Sequence, residues 1–466
     1  MNEQPLVRYA SRTDVGMRRS TNQDALVVRL CEDAEQWHRF GHLFVVADGM
    51  GGHSVGDLAS RITAETLPGA FYSSEATLTE DQIRSAVLAA NRAVHERGRQ
   101  YPEYSDMGTT CSALVLAPRG AVIGHVGDSR IYLVRDAKIS QLTFDHSLQW
   151  EMIRLGRATA ATVDLFHPRN VITRCIGPDP NVEIDIEGPF SMMAGDRLVL
   201  CSDGLSNHLS DSEIGQIASS VPPLEAAQLL INLANCRGGS DNTTVIVLEV
   251  QQFPSDQQDH PPDTLPPEPA TEVSEITQVE IPAPGIPAWV TAAGWVCLAA
   301  GVAGTAALLS EFPEAGLILL VVAAISGLLR LWHTWQKPPV PPAETLAEPG
   351  SKTLAEADQN GFTLQVPVAD DFADSQNPAR HSPYKAASAA LTVELLDDLA
   401  EIQSELVEAA RDSAWTVDFD QLTALSRDSV AAQQSGSPAR AMQTRGQAIE
   451  LLMQELYRRS RGENPA

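Results

Sequence analysis

Val45-Val46-Ala47-Asp48-Gly49-Met50-Gly51-Gly52-His53 is a short apolar run that ends on a carboxylate and breaks into glycines. β-Branched residues favour an extended chain and Asp-Gly is a turn signal, so the run reads as a core strand with an acid at the rim of its sheet. Leu198-Val199-Leu200-Cys201-Ser202-Asp203 repeats the pattern. Around these two lie further short runs: Ala25–Val28, Cys111–Leu116, Val122–Val126, Ile131–Val134 and Thr243–Val250, each bounded by Gly, Asp, Ser or Pro. Several of them follow one another with no helix between, which predicts a large antiparallel component and not a βαβ winding. Helical spacing appears over Leu58–Leu67, Glu80–Arg97, Leu148–Leu155, Asp211–Ser219 and Leu224–Asn235. The expectation is an α+β domain over residues 6–250.

Five aspartates of this stretch sit at turns or strand ends: Asp24, Asp48, Asp128, Asp203 and Asp241. One Asp-Gly alone is a turn former. Five such acids, four of them ending or starting core strands, point to a cluster. Carboxylates brought together repel, so a cluster calls for cations, and oxygen-only ligation selects hard divalent ions, Mg2+ or Mn2+.

The sequence around these acids resembles the metal-dependent (type 2C) protein Ser/Thr phosphatases in their bacterial form. The resemblance runs in order from Tyr9 to Glu249. It is carried by Thr13-Asp-Val-Gly16, Arg19-Ser-Thr-Asn-Gln-Asp24, Val46-Ala-Asp-Gly-Met-Gly-Gly-His53, Met107-Gly-Thr-Thr110, Val126-Gly-Asp-Ser-Arg-Ile-Tyr132, His167-Pro-Arg-Asn-Val-Ile-Thr-Arg174, Leu200-Cys-Ser-Asp-Gly-Leu205 and Gly239-Ser-Asp-Asn-Thr-Thr-Val245. It implies two antiparallel sheets packed as a β-sandwich and flanked by helices. It also implies hydrolysis of phosphoserine and phosphothreonine by water activated between two ions, with a third more loosely held. Residue by residue, Asp48 is implied to bridge two metals, with the Gly49 carbonyl as a further ligand. Asp24 would hold one metal, Asp203 and Asp241 the second, and Asp128 the third. Arg19 takes the phosphate-gripping place, where a guanidinium fork suits two oxygens.

Two positions depart from part of the family. Gln23 stands where some members have Glu. Met50 stands where the eukaryotic branch has a histidine after Asp-Gly, which leaves the leaving-group acid unassigned; His53 is read as structural or a lid contact. The stretch from His146 to Arg174 resembles the family's variable flap, which is expected to influence the choice of protein substrate. The alternative reading is an inactive phosphatase-like sensor or scaffold. Loss of an aspartate would mark it, and all five are present.

The formal net charge of −27 argues against a nucleic-acid partner. Cys31, Cys111, Cys175, Cys201, Cys236 and Cys297 form no CxxC pair and read as buried thiols in a reducing compartment. Met1-Asn-Glu-Gln-Pro5 shows no basic patch leading into an apolar run, so no secretory signal is expected.

Beyond the first domain, 251–287 reads as an acidic Pro-rich linker; no Lys or Arg occurs from Gly238 through Leu329. Residues 288–336 hold two apolar segments, Ala288–Leu309 and Leu317–Leu329, parted by Ser310-Glu-Phe-Pro-Glu314. Arg330 and Lys337 follow, and tryptophans lie toward the ends, which suits a transmembrane helical hairpin with both flanks cytoplasmic. The phosphatase domain is thus expected in the cytoplasm of a bacterium, at the inner membrane, acting on phosphorylated proteins against a Ser/Thr kinase. A second linker covers 337–385. The region 386–462 reads as helical, with Ala386–Arg411 and Arg440–Arg459 amphipathic and a shorter helix near Phe419–Val430; self-association is one role expected for it.

Overall fold

The computed structural model describes residues 6–51, 55–104, 106–155, 157, 171–253, 362–364 and 385–460. They fall in one compact unit drawn from Met1–Glu268 and Glu356–Ala466. The predicted hairpin at 288–336 and both linkers lie outside the described residues, apart from 251–253, 362–364 and 385. Among the described residues, no helix is long and apolar enough to cross a membrane.

The chain runs β1 (Leu6–Asp14), β2 (Asp24–Arg29), α1 (Ala34–Arg39), β3 (His42–Met50), α2 (Val55–Tyr72), α3 (Thr79–Gln100), β4 (Gly108–Thr109), β5 (Cys111–Ala117), β6 (Gly120–Val126), β7 (Arg130–Arg135), β8 (Lys138–Gln141), α4 (Leu148–Arg154), β9 (Asp185–Phe190), β10 (Arg197–Cys201), α5 (Asp203–Ser206), α6 (Asp211–Ser220), α7 (Pro223–Cys236) and β11 (Thr243–Gln252). After the segment 254–361 come β12 (Phe362–Leu364), β13 (Lys385–Ser388), α8 (Val393–Asp412), α9 (Phe419–Gln434) and α10 (Pro438–Ser460). One sheet has the order β1-β11-β10-β7-β8-β13-β12; the other has β2-β3-β5-β6-β9, with β4 on β3. The described pairings are all antiparallel.

Alternation along the strands shows how the layers form. On β3, Phe44 and Val46 join a core that also holds Leu198 and Leu200 of β10 and Ile246 and Leu248 of β11, so this core lies between the two sheets. The intervening Leu43 and Val45 face the opposite way, into a core with Leu67, Phe71, Ile83 and Val87 of α2 and α3. On the other sheet, Val199, Val245 and Val247 pack with Leu230 and Leu233 of α7. A period of two, read on both sheets, gives a helix–sheet–sheet–helix sandwich.

The C-terminal helices differ from the expected start. Lys385–Ser388 is a strand that adds to β8, and the helix expected from Ala386 begins at Val393. Alanines favour helix by propensity, but an open sheet edge supplies the backbone partners here. Thr392 then caps α8, its side chain accepting from the Leu395 N–H. The cysteines at 31, 111, 175, 201 and 236 are free thiols.

Candidate active site

The five acids reach one rim of the sandwich by register. β2 and β3 pair Asp24 directly opposite Asp48. On the other sheet Cys201 pairs with both Arg130 and Val245, which brings the β10 end carrying Asp203 beside the starts of β7 and β11. Asp128 lies in the Gly127–Ser129 link between β6 and β7, which joins the two sheets at this same end. Asp241 stands just before β11.

Their surroundings are polar scaffolding. The Ser202 hydroxyl donates to Asp24 Oδ2 (2.8 Å) and accepts from the Thr244 N–H (2.9 Å). One serine thereby fastens the rims of both sheets. The Asp48 N–H donates to Thr110 Oγ1 (2.9 Å), and the Asp48 carbonyl accepts from Thr109 Oγ1 (2.9 Å) and the Thr110 N–H (2.8 Å). Asn242 spans the site's floor, accepting from the Gln23 N–H (2.7 Å) and donating to the carbonyls of Val15 (2.9 Å) and Thr21 (3.0 Å). These Ser, Thr and Asn positions stand inside the sequence motifs but carry no role that the motifs alone assign. Their signal was present: hydroxyl and amide side chains beside apolar strand ends.

Gly49 has little room. A Cβ there would meet the carbonyl oxygens of Gly56 at 2.2 Å and Gln23 at 2.5 Å. The glycine after Asp48 is therefore a condition for bringing β3 against the start of α2.

Arg19 is half-exposed, and its Nη2 donates to Asp241 Oδ2 at 2.7 Å. The expected phosphate-gripping group is thus anchored on one of the expected metal ligands. His53 and residues 156 and 158–170 of the flap lie outside the described residues.

The electrostatics follow from crowding in a buried place. Burial, with Asp203 and Asp241 nearby, pushes Asp24 up to about 7 despite the hydrogen bonds from Thr244 and Ser202. Asp48 is held well above the usual carboxylate range by burial and then by Asp24, Asp203, Asp128 and Asp241. Burial, Asp203 and Asp145 push Asp128 up to about 8, against the opposing pull of Arg130. Asp203 is raised by burial and by Asp241. Carboxylates so placed take up protons unless a cation compensates them.

The donor set fits a hard divalent ion. It is all oxygen, and Asp24 Oδ1 and Asp128 Oδ1 are buried without a hydrogen-bond partner. Among the described residues no three His, Cys, Asp or Glu side chains are gathered closely enough to hold an ion by themselves. The fit is to a partly hydrated ion, which keeps several waters, and not to a closed protein cage.

Behind Asp128 lies a network that the sequence did not announce. Arg130 forks onto Asp145 (Nε to both carboxylate oxygens at 3.0 Å, Nη2 to Oδ2 at 2.6 Å) and reaches Asp211 at 3.4 Å. Asp145 also accepts from Gln141 Nε2 (2.7 Å) and Trp150 Nε1 (2.8 Å). Next to it, His146 Nδ1 accepts from the Gly127 N–H (3.0 Å) and its Nε2 contacts Asp185 (2.9 Å), which Arg174 also holds (2.6 Å).

Comparison with known proteins points to one family. A family model described as protein phosphatase 2C matches residues 18–233. The protein phosphatase PhpP of Streptococcus pneumoniae is 35% identical over 246 residues, covering 52% of this chain and 96% of PhpP. The serine/threonine phosphatase stp of Listeria monocytogenes is 37% identical over 245 residues, covering 51% of this chain and 94% of stp. The crystal structure of the Mycobacterium tuberculosis serine/threonine phosphatase PstP/Ppp is 33% identical, with a TM-score of 0.47, and covers 53% of this chain and 99% of that one. With relatives matched over nearly their whole length and the acids gathered at one rim, the chain belongs to the protein phosphatase 2C family, the metal-dependent serine/threonine protein phosphatases.

Proposed function

We propose that residues 6–253 hydrolyse phosphoserine and phosphothreonine on proteins at the rim described above. Asp24, Asp48, Asp128, Asp203 and Asp241, with the Gly49 carbonyl, would hold two or three Mg2+ or Mn2+ ions there. The observation that carries the reading is the convergence of these acids beside Arg19, with buried carboxylate oxygens lacking partners. When bound, such ions activate water and neutralise phosphoryl charge. The chain's own residues do the rest. Arg19, steadied by Asp241, grips the phosphoryl oxygens with its remaining N–H groups. Thr109 and Thr110 fix the backbone of Asp48, and Ser202 fixes Asp24. Met50, directly after Asp48-Gly49, can neither give nor take a proton, so no side chain at that place protonates the leaving oxygen.

The test is divalent-ion-dependent hydrolysis of an aryl phosphate and of a phosphothreonine peptide by the full chain. Turnover with Mn2+ that Asp48→Asn reduces at least about a thousandfold supports the reading; turnover indifferent to Asp48→Asn refutes it.

The same proposal places the domain on the cytoplasmic face of a bacterial membrane, held by 288–336 and opposing a Ser/Thr kinase. The two apolar segments and the basic residues that follow them support this placement. Protease digestion of the domain in inside-out but not right-side-out vesicles is the expected result, and the reverse rejects it.

A further inference from the structure

Helix α7 is covered on both sides. From Leu229 to Asn235 every residue is buried, which a helix lying on a sheet with its other face in water does not show. One side meets the sheet at Val245 and Val247; the other meets α10, whose Met442, Ile449 and Met453 share this core with Leu396 of α8. Three polar contacts fix the register of α10 on α7. Gln443 Nε2 donates to Glu225 Oε1 (3.0 Å), Asn232 Nδ2 donates to Glu450 Oε2 (2.7 Å), and the Tyr457 hydroxyl donates to Asn232 Oδ1 (3.0 Å).

The Tyr457 oxygen also accepts from Asn235 Nδ2 at 2.9 Å. Asn235 is at the last turn of α7, and its Nδ2 donates as well to Asp14 Oδ1 (3.0 Å), which in turn accepts from the Gly16 N–H (2.9 Å). Gly239 is in the left-handed region at φ +47°, and a Cβ on it would strike Asn235 Oδ1 at 2.7 Å. The loop it begins is locked to the 14–17 segment, the Met17 N–H donating to the Gly239 carbonyl at 2.9 Å. A Cβ at Gly16 would meet the Asp241 carbonyl at 2.3 Å. These two segments lead, within a few residues, to Arg19 and Asp241, which pair at 2.7 Å.

We propose that the C-terminal helices are a built-in positioning element for this site: α10, through Tyr457, holds Asn235 and thereby sets the two loops that carry Arg19 and Asp241. The inference rests on the phosphatase reading above. Tyr457 and Asn235 are positioning residues that touch neither substrate nor ion. A tail that shifts along α7 loosens the Arg19–Asp241 pair without unfolding the sandwich. A signal received by the tail can reach the phosphate grip by this route.

The test compares full-length Tyr457→Phe, Asn235→Ala, their double variant and Gln443→Ala. Gln443 lies in the same interface but does not touch Asn235. The first readout is hydrogen exchange at the amides of Gly16, Met17 and Gly239 in metal-free protein. Faster exchange by about three- to tenfold is expected for Tyr457→Phe, the size of the bond to Asn235, which of the two hydrogen bonds lost is the one that leads to these loops. Asn235→Ala, which also loses the bond to Asp14, should give at least as large an increase, the double variant should add nothing beyond it, and Gln443→Ala should leave the three amides unchanged. The second readout is hydrolysis: KM for an aryl phosphate and the Mn2+ level for half-activity should rise in Tyr457→Phe while kcat stays within about twofold. Unchanged exchange in Tyr457→Phe, additive effects in the double variant, or an equal shift in Gln443→Ala overturns the proposal. Variants that exchange as expected, with a wild-type chain that hydrolyses nothing, overturn the phosphatase reading and leave the coupling itself standing.

Discussion

Replacing Arg130 by Met removes the cation from a site that keeps its anions. Arg130 is mostly buried, at 15% side-chain exposure, and its fork holds Asp145 (5%) and reaches Asp211 (8%). Two buried carboxylates would lose their counter-charge, and Asp128 would lose its pull toward the ionised form. Breaking a buried pair from one side costs about 3–5 kcal/mol, because the stranded charge is neither solvated nor paired. Asp145 retains Gln141 and Trp150 as donors, and Asp211 retains the Tyr132 hydroxyl at 2.8 Å, which argues for the lower end, about 3 kcal/mol. Urea unfolding of the full chain in EDTA should show this as a midpoint lowered by about 1–1.5 M, taking a slope of about 2–3 kcal/mol/M. Adding Asp145→Asn to the variant should recover at least about 1 kcal/mol, since it removes the stranded charge. A loss under about 1 kcal/mol for Arg130→Met, or a double variant worse than the sum of the singles, would show that water already screens the group.

Three further outcomes are expected. Asp48→Asn should raise the melting temperature in EDTA by about 2–4 °C at pH 9 and by less at pH 5, where the crowded carboxylate takes up a proton, because a like charge directly opposite Asp24 is worth about 1 kcal/mol across a strand pair; a lower melting temperature at pH 9 contradicts the crowding. Glu187 is pushed up to about 8 by burial and by Asp185. Its folded form favours the proton, so its contribution is full below about pH 4.5 and is lost as pH rises through about 8. Glu187→Gln should therefore stabilise by about 1–2 kcal/mol at pH 9 and by almost nothing at pH 4, and equal shifts at both would refute the assignment. Ile449→Ala, at a fully buried contact of α10 with the α7 layer, should lower stability by about 2–4 kcal/mol; a surface-like change would mean that α10 is not docked there in solution.

The sandwich was legible where burial is strong. The runs from Cys111 to Leu116 and from Leu198 to Cys201 declared themselves because both faces of a core strand are apolar. β1, whose segment is interrupted by Arg8, Ser11 and Arg12 at a sheet edge, carried no such signal, and neither did β9, whose residues are all partly exposed. β13 was misread for a different reason. Lys385-Ala386-Ala387-Ser388 has helix-favouring alanines, and only the open edge of β8, remote in sequence, makes it a strand. The five acids were legible from their places at strand ends, yet the sequence could not show that Arg19 leans on Asp241, or that His146 and Arg130 brace the Asp128 loop. Those depend on which side chains meet across the two sheets, and spacing along the chain carries no record of that.

The arrangement also shows what opposes the repulsion at the rim. Asp24 and Asp48 belong to one sheet; Thr244 belongs to the other, and Ser202 and Asp203 directly follow its strand β10. The site therefore exists only while the sheets stay packed face to face. Leu43 and Val45 serve the helical side, and it is Phe44, Val46, Leu114, Ile123, Leu198, Leu200, Ile246 and Leu248 that hold the sheets together. Each such side chain contributes about 1.5–3 kcal/mol on burial, so eight of them far outweigh opposed carboxylates at about 1 kcal/mol per pair. The hydroxyls of Ser202 and Thr244 lower the proton affinity of Asp24 at the seam itself. Apolar packing in the middle and hydroxyl bonds at the edge thus have separate tasks. The first imposes the charge cluster, and the second keeps its carboxylates ready to accept a cation in place of a proton.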